Sequence, residues 1–158
     1  MIKEVRGNIF DHQGSILVHQ VNCQNKINYG MAGQIIDRYP VVKDVYHATT
    51  SMYKNSKDLL GVVDLVYVGK GHNETFIANL YGQEHYGNSE KTGLVYTDIN
   101  AVREGLMKIE SSARKGNNSV KIPHGMSCGF AGEQWYRIYR IIREVFEDSP
   151  VLCTIYKK

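Results

Sequence analysis

Little in this chain argues for a membrane, a metal or a disulfide framework. Its 158 residues contain no apolar run near the length of a bilayer span. The opening residues Met1-Ile2-Lys3-Glu4-Val5 have no apolar h-region, so no secretory leader is expected. Only three cysteines are present, Cys23, Cys128 and Cys153. An odd count at these spacings fits neither a paired framework nor a zinc pattern, and a reducing cytoplasm is the simplest setting. No cluster of His, Asp and Glu has ligand spacing, so neither a metal nor a cofactor is expected. The net charge of +3 is too small to argue for nucleic acid, although it permits an anionic ligand. Linkers, repeats and low-complexity segments are also missing. One soluble domain spanning residues 1–158, acting as a monomer, is the expectation.

What is present is a glycine-rich stretch late in the chain, Ile122-Pro123-His124-Gly125-Met126-Ser127-Cys128-Gly129-Phe130-Ala131-Gly132. It lies between a short apolar strand and an amphipathic helical pattern. Glycines let backbone approach a ligand closely, and a loop that opens a helix aims free N–H groups at an anion. The stretch reads as a diphosphate cradle or, with no ligand, as a tight strand-to-helix turn.

Hydrophobic patterning places the other elements. Strands are expected at Ile2–Val5, Ser15–Val21, Gly61–Val68, Thr75–Tyr81, Ser119–Ile122 and Val151–Tyr156, with a turn at Gly69–Asn73. Helices are expected from Gly30 to Tyr39, again after Pro40, from Asp98 to Lys115 with Gly116 as its C′ residue, and from Glu133 to Glu147. Alternation of strand and helix late in the chain implies crossovers. The fold class expected is α/β, a mostly parallel, mixed sheet of about six strands between helical layers. Ligands on such sheets bind beyond the carboxyl ends of the strands. Two loops fall there, Asn22–Gly30 and His124–Gly132.

These loops belong to a longer series of motifs. The series is Gly7-Asn8-Ile9, Val18-His19-Gln20-Val21-Asn22-Cys23, Arg38-Tyr39-Pro40, Leu59-Leu60-Gly61, Ile77-Ala78-Asn79-Leu80-Tyr81-Gly82-Gln83, Ser127 to Gly132, and Glu133-Gln134-Trp135. In this order and separation the chain resembles the macrodomain family over essentially its whole length. The branch it looks most like processes ADP-ribose 1″-phosphate. The resemblance implies a three-layer α/β/α macrodomain that binds ADP-ribose or ADP-ribose 1″-phosphate and releases phosphate from the latter. Its alternatives are a non-enzymatic reader of ADP-ribose nucleotides and an enzyme that removes ADP-ribose from macromolecules. Neither a membrane nor nucleic acid is implied as a partner, except nucleic acid as an ADP-ribosylated substrate.

The ligand-binding set implied is Asn8, Ile9, Val21, Asn22, Asn28, Gly30, Met31, Ala32, Ser127, Cys128, Gly129, Phe130 and Ala131. Asn8 and the Ile9 N–H would meet adenine, unless Asn8 only forms an Asx turn. Residues Ser127 to Ala131 would turn backbone N–H groups to the diphosphate. Phe130 would lie on the distal ribose or pack in the core, and Tyr156 would flank adenine or sit half-buried in its strand. Asn25 and Asn28 replace glycines common in the family, and asparagine tolerates the left-handed region these turns need.

For catalysis the resemblance implies His19, with Asn22 and Gln83, and Gln24 and His85 in support. A histidine titrating near neutrality suits proton transfer, but a strand histidine can also simply bond to its neighbours. Other chemistries lack their groups. No arginine follows Cys128 where a cysteine phosphatase needs one, and Gln134 stands there. No Gly-Lys-Ser/Thr follows the glycines. The Lys–Asp pair of related glycohydrolases is matched by Gln83 or its neighbour Gly82 and by Ala131, which offer neither a nucleophile nor a carboxylate.

Overall fold

A computed structural model describes residues 1–11, 15–27, 29–69 and 75–158. Among these, six strands form one sheet: β1 (Ile2–Arg6), β2 (Ser15–Asn22), β3 (Val63–Tyr67), β4 (Phe76–Gln83), β5 (Ser119–Pro123) and β6 (Cys153–Lys157). They lie in the order β1-β6-β5-β2-β4-β3, and only the edge strand β3 runs antiparallel. The helices are α1 (Gly30–Arg38), α2 (Pro40–Ser51), the single turn α3 (Ser89–Thr92), α4 (Ile99–Gly116) and α5 (Trp135–Phe146).

The period of two along each strand sorts the side chains into two cores. Ile16 and Val18 of β2, with Ala78 and Leu80 of β4, pack on Val102, Leu106 and Ile109 of α4 and on Ile138, Ile141 and Ile142 of α5. Leu17 and Ile77 face the other way, onto Ile35 of α1 and Val42 of α2. Each large aliphatic side chain fully buried here contributes about 2 kcal/mol. The result is the expected α/β/α sandwich, and β2, covered on both faces, reads as a continuous apolar run for that reason.

Several element ends differ from the sequence expectation. Pro40 restarts a helix, at its first position, where its missing N–H costs nothing. Gly116 is the last residue of α4, not its C′ glycine. Asn117 takes the left-handed conformation at φ 54° and donates its N–H to Ala113 and Arg114 carbonyls, a role asparagine tolerates. Helix α5 starts at Trp135 because Glu133 is held elsewhere, its N–H on the Ser127 carbonyl at 3.1 Å. The 3₁₀ turn Ser56–Leu59 and helix α3 carry only Asn caps as signals, Asn55 and Asn88, and are too short for a periodic pattern. Most of the expected Gly69–Asn73 turn lies outside the described residues.

A polar chain is buried between the sheet and α2. His19 pairs with Asn79 in the β2–β4 register, and the His19 Nε2 lies 2.5 Å from Asn79 Oδ1. Asn79 Nδ2 donates to Asp64 at 3.2 Å, and Tyr81 and Thr49 donate their hydroxyls to the same carboxylate at 2.7 and 2.8 Å. Because Asn79 spends its amide on Asp64, its oxygen faces His19, and Nε2 must carry the imidazole proton. Nδ1 is then a bare acceptor, without a partner among the described residues. Burial holds this imidazole neutral and pulls its pKa down to about 4, against the smaller opposing pull of Asn79 and Asp64.

The sign of the resulting pH dependence is fixed. Unfolded His19 takes up a proton as pH falls below about 6.5, whereas folded His19 waits until about 4. The stability from the neutral imidazole is therefore complete above pH 6.5 and is lost as pH falls from there to about 4, by an amount on the order of 3 kcal/mol. His19→Gln keeps a donor for Asn79 and cannot titrate. Its urea-unfolding free energy should fall less than the parent's over this window; parallel pH curves would refute the buried neutral imidazole.

Candidate functional site

Five parallel strands bring their carboxyl ends to one edge of the sheet. The chain leaving β1 carries Asn8 and Ile9, β6 ends beside Tyr156, β5 leads into residues 124–132, β2 into residues 23–29, and β4 into Glu84 and His85. Read across the sheet, the groups follow the order β1, β6, β5, β2, β4. Adjacent strands stand about 4.8 Å apart, so this row spans about 19 Å. Every described residue of the sequence-predicted set except His19 lies on or beside this edge. Asn28 falls outside the described residues.

The loop after β5 is a string of turns. Gly125, Ser127 and Gly132 have φ of 84°, 74° and 81°. Three of its carbonyls are taken by α3 and the segment that follows it. Phe130 O accepts Ser89 N–H at 3.0 Å, Ala131 O accepts Tyr96 N–H at 2.8 Å, and Ser127 O accepts the Thr97 hydroxyl at 2.9 Å. Gly129 O accepts Gly132 N–H at 3.1 Å. In a trans peptide the N–H points opposite to its carbonyl. The Ala131 N–H thus points away from Ser89, which holds the Phe130 carbonyl, and the Phe130 N–H points away from Gly132, which holds the Gly129 carbonyl. Together with those of Ser127 and Gly129 they have no partner among the described residues. Successive free N–H groups of this kind form an anion-binding concavity. A Cβ on Gly129 would meet nothing within 4 Å, so the space before the loop is open.

Cys128 departs from its expected place in this loop, and Phe130 takes the exposed one of its two. Cys128 gives its N–H to the Gly125 carbonyl at 3.0 Å and its thiol to Met126 O at 3.3 Å, so it closes a turn and does not face an anion. Burial, with the Glu133 carboxylate nearby, pushes the thiol up to about 11. Phe130 is not a core residue: it is 58% exposed, on the rim of the loop.

The loop after β2 is tied down from α2. The Tyr46 hydroxyl accepts Lys26 N–H at 3.0 Å and lies 2.8 Å from Asn22 Oδ1. Asn22 Oδ1 also accepts Gln24 N–H at 2.9 Å, and its amide donates to Lys26 O at 2.7 Å. Asn22 therefore shapes the loop. Asn25 takes the left-handed conformation expected of it, φ 62°, and its side chain bonds Thr50 and His47. Val21 is buried under this loop beside Tyr46 and Tyr81. Gly30, with φ of 58°, opens α1. Tyr29 supplies no side-chain cap, so the N–H groups of Gly30, Met31 and Ala32 are left for a ligand or water.

At the β1 end Asn8 does form the Asx turn: its Oδ1 accepts Phe10 N–H at 2.9 Å. Lys121, buried on β5, donates to Ile9 O at 2.8 Å and steadies this turn; burial pulls its pKa down to about 8. The Ile9 N–H has no partner among the described residues. At the β4 end Gln83 spends its amide on His85 O at 2.9 Å and its oxygen on Gln20 at 2.9 Å. His85 is exposed, with Nε2 3.6 Å from Glu84 Oε1, and Ser56 donates to the other Glu84 oxygen at 2.9 Å.

His19 stands apart from all of these. At 1% exposure, and neutral, it has no route for exchanging protons with a ligand on the edge. Gln20 and Thr97, by contrast, belong to the site and were not anticipated. The signal for Gln20 is its place in β2. It shares a face with Ile16 and Val18, and an amide on a core-facing position needs fixed partners. Thr97 sits in a stretch with no periodicity and leaves no such signal.

No family model matches the chain. A stretch of 64 residues, 40% of this chain and 32% of the relative, is 34% identical to an ADP-ribose 1″-phosphate phosphatase of Aspergillus oryzae. The match thus spans about a third of that relative's length. The macrodomain of Mycobacterium tuberculosis DarG has a TM-score of 0.81 at 22% identity, over 100% of this chain and 98% of that one. Thermosipho africanus DarTG, solved in complex with ADP-ribose, has a TM-score of 0.78 at 18% identity, over 98% of this chain and 41% of that one. The strand order, the helical layers and these full-length superpositions together establish that the chain has the macrodomain fold.

Proposed function

We infer that the protein binds ADP-ribose, or a close derivative, along the carboxyl edge of its sheet. The observation that carries this reading is the set of unpartnered N–H groups at Ser127, Gly129, Phe130 and Ala131, in front of the open space at Gly129. They lie after β5, next to the α1 N-terminus that follows β2. The two together suit a diphosphate. On the β1 side the free Ile9 N–H and the Tyr156 ring suit a purine. On the β4 side Glu84 and His85 suit the far sugar. Adenine, diphosphate and distal ribose occur in that order in ADP-ribose, and the fold's likeness to a protein solved with ADP-ribose supports the same ligand.

Hydrolysis of ADP-ribose 1″-phosphate is the chemistry we attach to this site. The similarity to the Aspergillus oryzae phosphatase supports it over the matched stretch. His19 is too deeply buried for the proton transfer. His85 is the better general acid–base group, exposed at the β4 end and faced by the Glu84 carboxylate. The cradle would hold the diphosphate still while phosphate leaves the distal ribose, and that positioning supplies part of the rate. Removal of ADP-ribose from proteins or DNA by a Lys–Asp mechanism is disfavoured, because Gln83 is tied to Gln20 and His85 and Ala131 has only a methyl group.

Titration calorimetry should give a Kd near micromolar for ADP-ribose, about −8 kcal/mol. No heat and no thermal shift at millimolar ligand would end this reading. Gly129→Val fills only open space, so the variant should keep its stability within about 0.5 kcal/mol. Its ADP-ribose affinity should fall by about tenfold or more, because the side chain takes the diphosphate's place. Parent-like affinity in the folded variant would move the ligand elsewhere.

Phosphate release from ADP-ribose 1″-phosphate separates enzyme from reader. His85→Ala should lower turnover about a hundredfold and leave ADP-ribose affinity nearly unchanged. His19→Gln should leave turnover within about twofold, since the imidazole only bonds Asn79. The reverse pattern would return the catalytic role to His19. Absence of phosphate release in the parent would make the protein a binder of ADP-ribose nucleotides.

A further inference from the structure

We propose that Gln20 is the positioning residue of the anion cradle, its amide holding the loop after β5 in the one shape that turns the free N–H groups outward. The proposal rests on the cradle reading above but concerns a residue which that reading does not use.

Gln20 stands on β2, on the face that otherwise carries Ile16 and Val18. Its Nε2 donates to Gln83 Oε1 and to Thr97 Oγ1, both at 2.9 Å, and its Oε1 accepts the Ser127 hydroxyl at 2.6 Å. One amide therefore joins the ends of β2 and β4, the segment before α4, and the loop after β5. Thr97 passes the connection on, since its hydroxyl donates to Ser127 O at 2.9 Å. Ser127 is thus gripped at its side chain and at its carbonyl.

That grip has work to do. Ser127 has φ of 74°, a conformation that costs a non-glycine residue about 1 kcal/mol or more unless its surroundings hold it. Released, the residue would relax toward negative φ and turn the peptide planes that follow it. Those are the planes whose N–H groups form the cradle. The chain also makes room for the clamp. A Cβ on Gly82 would lie 2.4 Å from Gln20 Oε1, so only glycine on β4 lets the Gln20 side chain cross to its partners.

The clamp acts on the diphosphate and not on the purine, and the test uses that difference. ADP and adenosine are titrated into the parent, Gln20→Leu, Gln20→Met and the double variant Gln20→Leu with Ser127→Gly. Glu133 amide exchange, which reports its bond to Ser127 O, is followed in each without ligand. Gln20→Leu should bind ADP about tenfold more weakly, bind adenosine within about twofold of the parent, and exchange Glu133 about tenfold faster. Glycine takes positive φ without help, so the double variant should recover most of the ADP affinity. Gln20→Met keeps the side chain's length but loses all three bonds, and should show the same ADP-specific loss if Gln20→Leu does not fold. Equal losses for ADP and adenosine, parent-like ADP affinity, or no recovery in the double variant would each overturn the proposal. If the parent binds no ADP, the cradle reading fails by itself. Glu133 exchange then decides the clamp: a parent-like rate in Gln20→Leu and Gln20→Met overturns it, and a faster rate supports it.

Discussion

Parallel pairing is the constraint on which everything else here depends. Strands β1, β6, β5, β2 and β4 run the same way, so their chain exits all fall on one edge. Parallel neighbours need crossovers, and α1–α2, α4 and α5 supply them while covering the two faces. The antiparallel β3 closes the sheet at the opposite side from β1. Residues separated by more than a hundred positions, such as Ile9 and Lys121, meet at this edge only because their strands share a direction.

A second constraint acts on the peptide groups at that edge. The cradle's donors are backbone N–H groups, so the loop's side chains matter less than what holds its carbonyls. Ser89 takes the Phe130 carbonyl, so the planar trans peptide turns the Ala131 N–H the other way, while Tyr96 and Thr97 hold the Ala131 and Ser127 carbonyls and fix the loop on either side. Gly129 matters for space and Ser127 for its conformation. The segment between α3 and α4 has no regular structure beyond one bridge, Gln83 to Thr97, yet it helps set the shape of the loop after β5.

Much of this was legible in the sequence, and the failures have particular causes. The layers, the parallel sheet and the place of two loops at its carboxyl edge followed from periodicity, because β2, α4 and α5 each bury a long, regular apolar face. Helix ends did not follow as well. At α4 both Gly116 and Asn117 can take a C-terminal role, and only the hydrogen bonds of the Asn117 and Asn118 N–H groups to Ala113 choose between them. The positions of Asn22 and Gln83 were anticipated, but not the bonds their amides make, whereas the Asx turn of Asn8 was one of its two expected roles. Periodicity locates a side chain on a face; it says nothing about which neighbour will satisfy it. Gln20 was passed over for the converse reason, as a polar residue at a core-facing position whose partners come from three remote segments.

His19 shows how burial decides between two roles that one residue type allows. An imidazole at the sheet edge would titrate near neutrality and exchange protons with a ligand. Three residues earlier on β2, beneath α2, the same ring loses its water and its charge. What it gains is a place in the chain through Asn79 and Asp64 to Tyr81 and Thr49, which joins the three strands β2, β4 and β3 to α2. Helix α2 also carries Tyr46, the anchor of Asn22 and Lys26. The buried network thus sets the helix, and the helix sets the loop after β2. Neutral His19 contributes to the edge by fixing the ground beneath it, a contribution that disappears if the ring is charged.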